Sequence, residues 1–276
     1  MGNLENYFIN LFPSKHIGDD GAIIEKNLVV VQDGFFENVH FLRNWLSLDE
    51  VAYKAVAVNI SDIYSMNGIP KYGLITIAIP KEFSKQELKL LYQGFSRASK
   101  DFQFEIIGGD TISNSKLDIS ITIIGKVRGK PILRSGAKQG DLIAYTGTLG
   151  NSKRDLEKLL SGRKIGRNSI FRKPKLNRDF IFKVAPYISS GLDISDGLFS
   201  ELSHIANSSR VGFHLWKPIP KQIGCSGEEY QFLFTFPKRN RKRIESIGKS
   251  LNTKVTIFGE VTNRKRYINP CKPHHF

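Results

Sequence analysis

The apolar positions of this chain follow two rhythms. Runs rich in Val, Ile and Phe at residues 22–24, 28–31, 72–79, 104–107, 117–127, 141–146, 230–236 and 255–258 read as strands, several of them alternating apolar with polar. Residues 51–66 and 84–100 instead repeat apolar side chains at three- and four-residue spacing, as amphipathic helices do. Each opens on a capping box, Ser47 with Glu50 and Ser84 with Glu87, and Gly68 with Pro70 closes the first. Residues 195–208 read as a further helix entered through 191–193, and 153–178 as a basic segment of weak periodicity. Strands and helices mixed in this way predict an α/β (α+β) architecture. The turn at 128–130, followed by Pro131, predicts two domains, 1–130 and 131–276, each long enough for its own core.

Composition adds an asymmetry. The 276 residues carry a formal charge of +15, but residues 1–150 hold 16 basic and 16 acidic side chains, so the whole excess lies beyond residue 150. A basic half raises nucleic acid or a membrane surface as partners. The basic runs at 153–178 and 238–243 hold a single aromatic residue, Phe171, rather than an interleaved series for base stacking, so nucleic acid is not expected. No apolar run approaches the roughly 18–20 residues that span a bilayer, so no membrane association is expected. MGNLENYFIN has no basic segment followed by an apolar one, so no secretory leader is expected either. Cys225 and Cys271 are too few for a disulfide framework or a CxxC metal site, and the chain reads as cytoplasmic.

The candidate chemistry is acidic. GxxxxGK[ST], GxGxxG after a strand, HExxH and GxSxG are all missing. In their place stand Gly18-Asp19-Asp20, Asp33-Gly34, Gly108-Gly109-Asp110 and Asp193-Ile194-Ser195-Asp196-Gly197, read as acidic turns at the ends of apolar runs. Oxygen ligands gathered from several loops suit Mg²⁺, although each such turn by itself is more often a structural turn. Asp62 is more telling. Val51, Ala55, Val58, Asp62 and Met66 fall on one helical stripe, so Asp62 points inward among apolar neighbours. It also lies in the C-terminal half of its helix, where the macrodipole disfavours a negative charge. A cation, a proton or a hydrogen bond from Asn59, Ser61 or a backbone amide must offset it. Ser195-Asp196-Gly197 opening a helix could receive phosphate or simply cap the helix, and Arg134 beside Gly136 offers a cationic fork.

In order, HIGDDGAII, VVVQDGFFENVHF, AYKAVAVNISDIYSMNGIPKYGLITIAIP, IIGGDTIS, LRSGAKQGDLIAYTGTLG, GLDISDGLFSELSHIA and GEEYQFLFTF resemble the thiamine-monophosphate kinase family, within the AIR synthase-like superfamily. The terminal His-His-Phe resembles that family's Asp-His-Phe ending. The resemblance implies a two-domain AIR synthase-like fold, whose N-terminal α/β domain joins strands across a homodimer. It implies phosphorylation of thiamine monophosphate by ATP, assisted by several Mg²⁺ ions. Carried over by motif, Asp20, Asp33, Asp62, Asp110 and Asp193 hold Mg²⁺, and Asp196 holds a further ion. Gly109, Asp110, Arg134 and Ser195 contact ATP, while His40 and Glu228 contact the thiamine substrate. No residue is expected to form a covalent intermediate.

The resemblance and the residues agree on chemistry. Phosphoryl transfer needs positioning and charge neutralisation more than a covalent group. Three departures stand out. Val31-Gln32 replaces the family's usual Ser/Thr-Thr, which is expected to alter one metal position. GEEYQ replaces GEDYE. The aromatic residue expected to stack on substrate near the C-terminus has no counterpart around Pro270-Cys271-Lys272. The alternatives are another ATP-using enzyme of the superfamily, against which NVHF argues, and a basic nucleic-acid-binding protein.

Overall fold

The computed structural model describes residues 4–263 and 267–272, so the His-His-Phe ending lies outside the described residues. A short helix α1 (Leu4–Ile9) precedes the first sheet. Strands β1 (Ala22–Ile24), β2 (Leu28–Phe36), β3 (Gly68–Pro80), β4 (Glu105–Asn114) and β5 (Asp118–Val127) form that sheet in the order β1-β2-β5-β3-β4. Helix α2 (Leu48–Ser65) covers one face of it, and α3 (Lys85–Phe102) packs beside α2 while crossing from β3 to its parallel neighbour β4. Both predicted capping boxes are present, with Glu50 and Glu87 accepting from the backbone N–H of Ser47 and Ser84.

The second sheet has the order β7-β9-β6-β10-β8, with antiparallel neighbours throughout. Its strands are β6 (Leu142–Thr146), β7 (Ser190–Asp193), β8 (Gly212–Leu215), β9 (Phe232–Phe236) and β10 (Val255–Thr262). Helices α4 (Asn151–Leu160), α5 (Arg178–Val184), α6 (Leu198–Ser209), α7 (Lys221–Gly224) and α8 (Arg241–Ser250) accompany them. Among the described residues no strand belongs to both sheets.

Two features of the first sheet govern the rest. On β2 and β5, Val29, Val31 and Phe35 with Ile119, Ile121 and Ile123 face α2 and are buried. Asp33 occupies the same alternate row, so the sheet carries one carboxylate on an otherwise apolar face. Helix α2 is in turn buried almost all round, because sheet β2/β5 lies on one side and β7 and α5 on the other. Its polar residues Lys54, Asn59, Ser61 and Ser65 are therefore buried too and need partners.

Asp33-Gly34 and Gly108-Gly109-Asp110, expected as turns, lie within strands β2 and β4. Gly residues suggested turns, but the backbone accepts Gly109 for another reason. It adopts φ 150°, and a Cβ there would strike the carbonyl of Ile75 on β3. The first predicted helix ends at Ser65, and β3 begins at Gly68 with Pro70 at an irregularity of the ladder. Strand β8 and helix α8 escape the periodicity analysis. The helix buries only Ile244 and Gly248 from the run RKRIESIGKS, too few apolar positions to make a readable stripe.

Candidate active site

The acids converge where α2 meets both sheets. One carboxylate oxygen from each of Asp20, Asp62 and Asp193 lies within 4.8 Å of the others. They arrive from three places: the loop before β1, the last turn of α2 and the end of β7. Asp33 joins them from β2, with its carboxyl hydrogen-bonded to that of Asp62. The loop can approach so closely because Gly21 has no side chain; a Cβ there would meet Val31 Cγ1 at 2.5 Å.

Their surroundings are built to hold acids. Ser61 Oγ donates to Asp193 Oδ2 (2.5 Å), Ser65 donates its hydroxyl to Asp20, and Asp33 N–H donates to Asn59 Oδ1 (3.0 Å). Arg134 grips Asp20 Oδ1 through Nε (3.0 Å) and Nη2 (2.9 Å), and its N–H donates to Asp19 Oδ1 (2.6 Å). Burial pushes the carboxyls of Asp33, Asp62 and Asp193 above the usual range. Neighbouring carboxylates add to the shift, Asp33, Asp193 and Asp20 acting on Asp62. Four acids around one point repel each other unless protons or cations intervene. Hard oxygen donors in such a set fit Mg²⁺.

The chain leaves β7 at Asp193 and turns through Ser195 and Asp196 into α6. Gly197, not Ser195, is the N-cap of α6, with φ 100° that favours glycine. Glu201, one turn into α6, accepts from Asp196 N–H (2.9 Å) and fixes the turn. Burial pushes its carboxyl up to about 8.

The two expected substrate contacts, His40 and Glu228, have hydrogen-bond and ion-pair partners outside the acid cluster. His40 Nδ1 accepts from Phe36 N–H (3.0 Å), so the neutral ring carries its proton on Nε2, and the ring stacks on Phe35. Glu228 has φ 54°, donates its N–H to the carbonyl of Ser195 (2.6 Å), and pairs through Oε2 with Lys54 Nζ (3.1 Å). Burial pushes the Lys54 ammonium down and Glu228 opposes that shift.

Gly109 and Asp110 do not join the cluster. Asp33 stands level with Ile121 on β5, which pairs with Ile75 on β3, which pairs with Gly109 on β4. That path crosses three inter-strand spacings, about 14 Å. Asp110 is exposed on the edge strand, bonded to Thr111 N–H.

The departures from the family pattern fall outside the acid cluster. Val31 packs into the core. Gln32 points to the other face of the sheet, where it bonds Ser120 and Thr122, so its amide is not a ligand. Gln231 sits in a buried network with Thr146 and Asn177. Glu229 is also structural. Its Oε1 accepts from Gly150 N–H (2.7 Å), Ser152 N–H (3.2 Å) and Ser226 Oγ (2.5 Å), capping the start of α4. Glu229→Ala removes an acceptor from three buried donors, with an expected loss of about 2–3 kcal/mol in urea unfolding. Glu229→Gln should lose less than half of that; an alanine variant as stable as the parent would refute the capping role.

The two cysteines form a disulfide that ties the loop after α7 to residue 271. Sequence analysis allowed no framework of disulfides, and their 46-residue separation carried no sign of this pairing. On the same tail, Tyr267 rests against Phe213, and Asn269 donates to Ser200 Oγ.

Sequence reasoning missed Lys54, Ser65 and Glu201, and offered Ser61 to Asp62 where its hydroxyl bonds Asp193. The signal was present: Lys54, Val58, Ser61 and Ser65 form a second stripe on α2, recognisable once every face of that helix is known to be buried.

Comparison with known proteins agrees with this geometry. The family model described as AIR synthase related protein, N-terminal domain, matches residues 18–127, the segment containing Asp20, Asp33, Asp62 and Asp110. The thiamine-monophosphate kinase of Bacillus subtilis is 36% identical over 91% of this chain and 86% of its own length, and that of Aquifex aeolicus is 31% identical over 82% of each. The solved complex of AaThiL with AMPPCP and TMP has a TM-score of 0.83 and 28% identity over 94% of this chain and 89% of its own. A HypE–HypF complex at 19% identity and a TM-score of 0.81 shares the fold. Likeness that runs through both sheets and nearly the whole length places the chain in the thiamine-monophosphate kinase family.

Proposed function

We infer that the chain transfers the γ-phosphoryl group of ATP to thiamine monophosphate, giving thiamine diphosphate and ADP. The observation that carries this reading is the convergence of Asp20, Asp62 and Asp193 from a loop, a helix and a strand far apart in sequence, at a cost in mutual repulsion that folding by itself does not require. Asp20, Asp33, Asp62 and Asp193 would hold Mg²⁺, and Asp196, on the rim of the cluster, a further ion. Bound there, Mg²⁺ would neutralise charge building on the phosphate oxygens.

The protein's own groups do the positioning. Arg134 has five N–H donors; with Nε and one Nη2 donor on Asp20, it keeps others for a phosphate oxygen. Ser195 and the free N–H groups at the start of α6 present a second phosphate-binding edge, steadied by Glu201. The acceptor is itself a phosphate monoester, largely dianionic at pH 7 with a second pKa of about 6, so the site needs no strong general base. His40 and Glu228 serve recognition of the thiamine end.

The exposed edge strand supports a homodimer. Ile107 and Ile112 on β4 are 50% and 51% exposed in the single chain, and the free edge of the strand is open to pairing. Gly109 and Asp110, too far from their own cluster, would then complete the site of a second copy. The separation of the strands into two sheets that share none among the described residues likewise supports two domains divided near residue 130. No helix among the described residues is long and apolar enough to cross a membrane. A cytoplasmic location agrees with biosynthetic chemistry. The basic second half does not alter this reading, since Arg178, Lys238 and Arg241 pair with neighbouring surface acids.

The test is direct. Pure protein with ATP, Mg²⁺ and thiamine monophosphate should form thiamine diphosphate, and a chelator should stop it. No product above a control without enzyme would overturn the assignment.

A further inference from the structure

The middle of α2 carries a lysine with no outlet to solvent. The Lys54 side chain is 0% exposed, and its ammonium lies 3.7 Å from the centre of the Phe171 ring and 5.6 Å from that of Phe35. Among the described residues its anionic partner is Glu228, whose side chain is 25% exposed. A buried ammonium is costly unless it is paired, and aromatic faces offset part of that cost.

The arrangement reaches both groups assigned to the thiamine end of the substrate. Phe35 lies near the ammonium and also stacks on His40, with ring centres 5.4 Å apart. Glu228 is held at two points, its N–H on Ser195 and its Oε2 on Lys54, and its backbone has a positive φ. Holding Oε2 leaves Oε1 to receive a donor from the substrate. Lys54 and Glu228 come from different halves of the chain, so their ion pair also sets the distance between α2 and the loop before β9.

We propose that Lys54 is a positioning residue for substrate recognition: clamped between Phe171 and Phe35, it aims the Glu228 carboxylate at the cationic, amine-bearing ring system of the acceptor. It touches neither the transferred phosphoryl group nor the metal site. This rests on the functional reading above.

Steady-state kinetics of the full chain with Mg²⁺ and both substrates tests it. Lys54→Met should raise KM for thiamine monophosphate by about tenfold or more, while kcat and KM for ATP move by less than about threefold. Lys54→Arg should restore KM to within about threefold of the parent, because a cation of similar reach returns. Glu228→Gln should raise the same KM, and the double variant should be no worse than the poorer single one, since the lysine acts through the glutamate. A role in packing would instead lower the folded fraction, kcat and both KM values together. If Lys54→Met does not fold, Lys54→Gln serves in its place, and failure of both to fold overturns the proposal in favour of a stabilising role. Normal turnover with an unchanged KM for thiamine monophosphate overturns this proposal and leaves the function intact. No turnover by the unaltered chain overturns both.

Discussion

Replacing Asp62 with asparagine is expected to abolish turnover while making the metal-free protein harder to unfold. The two effects have one source. Asp62 is half-buried and surrounded by Asp33, Asp193 and Asp20, and desolvation with these neighbours pushes its carboxyl well above the usual range. The folded protein therefore keeps a proton that the unfolded chain has already released above about pH 4. Unfolding then releases protons, and stability without metal falls as pH rises from about 4 toward the folded-state value. Asparagine has the same shape and no charge, so the variant should show a flatter dependence of Tm on pH and a higher Tm at pH 7 in the presence of a chelator. Mg²⁺ should raise the Tm of the parent and do much less for the variant. Loss of one ligand to the ion that offsets phosphoryl charge should cost about 100-fold or more in kcat. A variant that turns over at a third of the parental rate would remove Asp62 from the metal site. One that is less stable without metal would show that the acids are not in conflict.

The second large effect concerns two chains at once. Asp110→Asn and Asp62→Asn should each be nearly inactive, and mixing the two under conditions of subunit exchange should restore activity. If Asp110 serves the site of a partner copy, a mixed dimer concentrates both substitutions in one site and leaves the other intact. Random pairing makes about half the dimers mixed, with one working site in two, so about a quarter of parental activity should return. Recovery below a few per cent, with mixed dimers demonstrated by mass, would place Asp110 in its own chain's site or outside any site. Ile107→Lys gives the companion result: a charge on the exposed edge strand should shift the protein to monomer in sedimentation and remove activity with it.

Much of the fold was legible before any coordinates. Capping boxes at Ser47 and Ser84 depend on residues three apart, and the buried alternation of Ile119, Ile121 and Ile123 depends on residues two apart. Both are local, so the chain displays them in order. Asp62 was legible for the same reason, because a helical stripe says which side chains point inward. Gly residues misled at Asp33 and Gly109, since a glycine that leaves room for a side chain of its own strand (Phe36 beside Gly34) or for a neighbouring backbone (Ile75 at Gly109) looks the same in sequence as one that makes a turn.

The partners were not legible. Lys54 meets Glu228 across 174 positions, Ser61 meets Asp193 across 132, and Arg134 meets Asp20 across 114. Such contacts follow from the docking of one sheet against α2 and the second sheet, and no spacing rule encodes them. The sequence by itself determined helices α2, α3 and α6 and most strands, the inward aim of Asp62, and an order of acidic motifs that resembles one kinase family. Tertiary structure decided which acids meet, that Asp110 stands apart on an edge strand, that Gln32 turns away and Glu229 caps a helix, and that a buried lysine holds Glu228. Periodicity reports which face of an element is buried, while the identity of what lies against that face is fixed by packing between segments far apart in the chain.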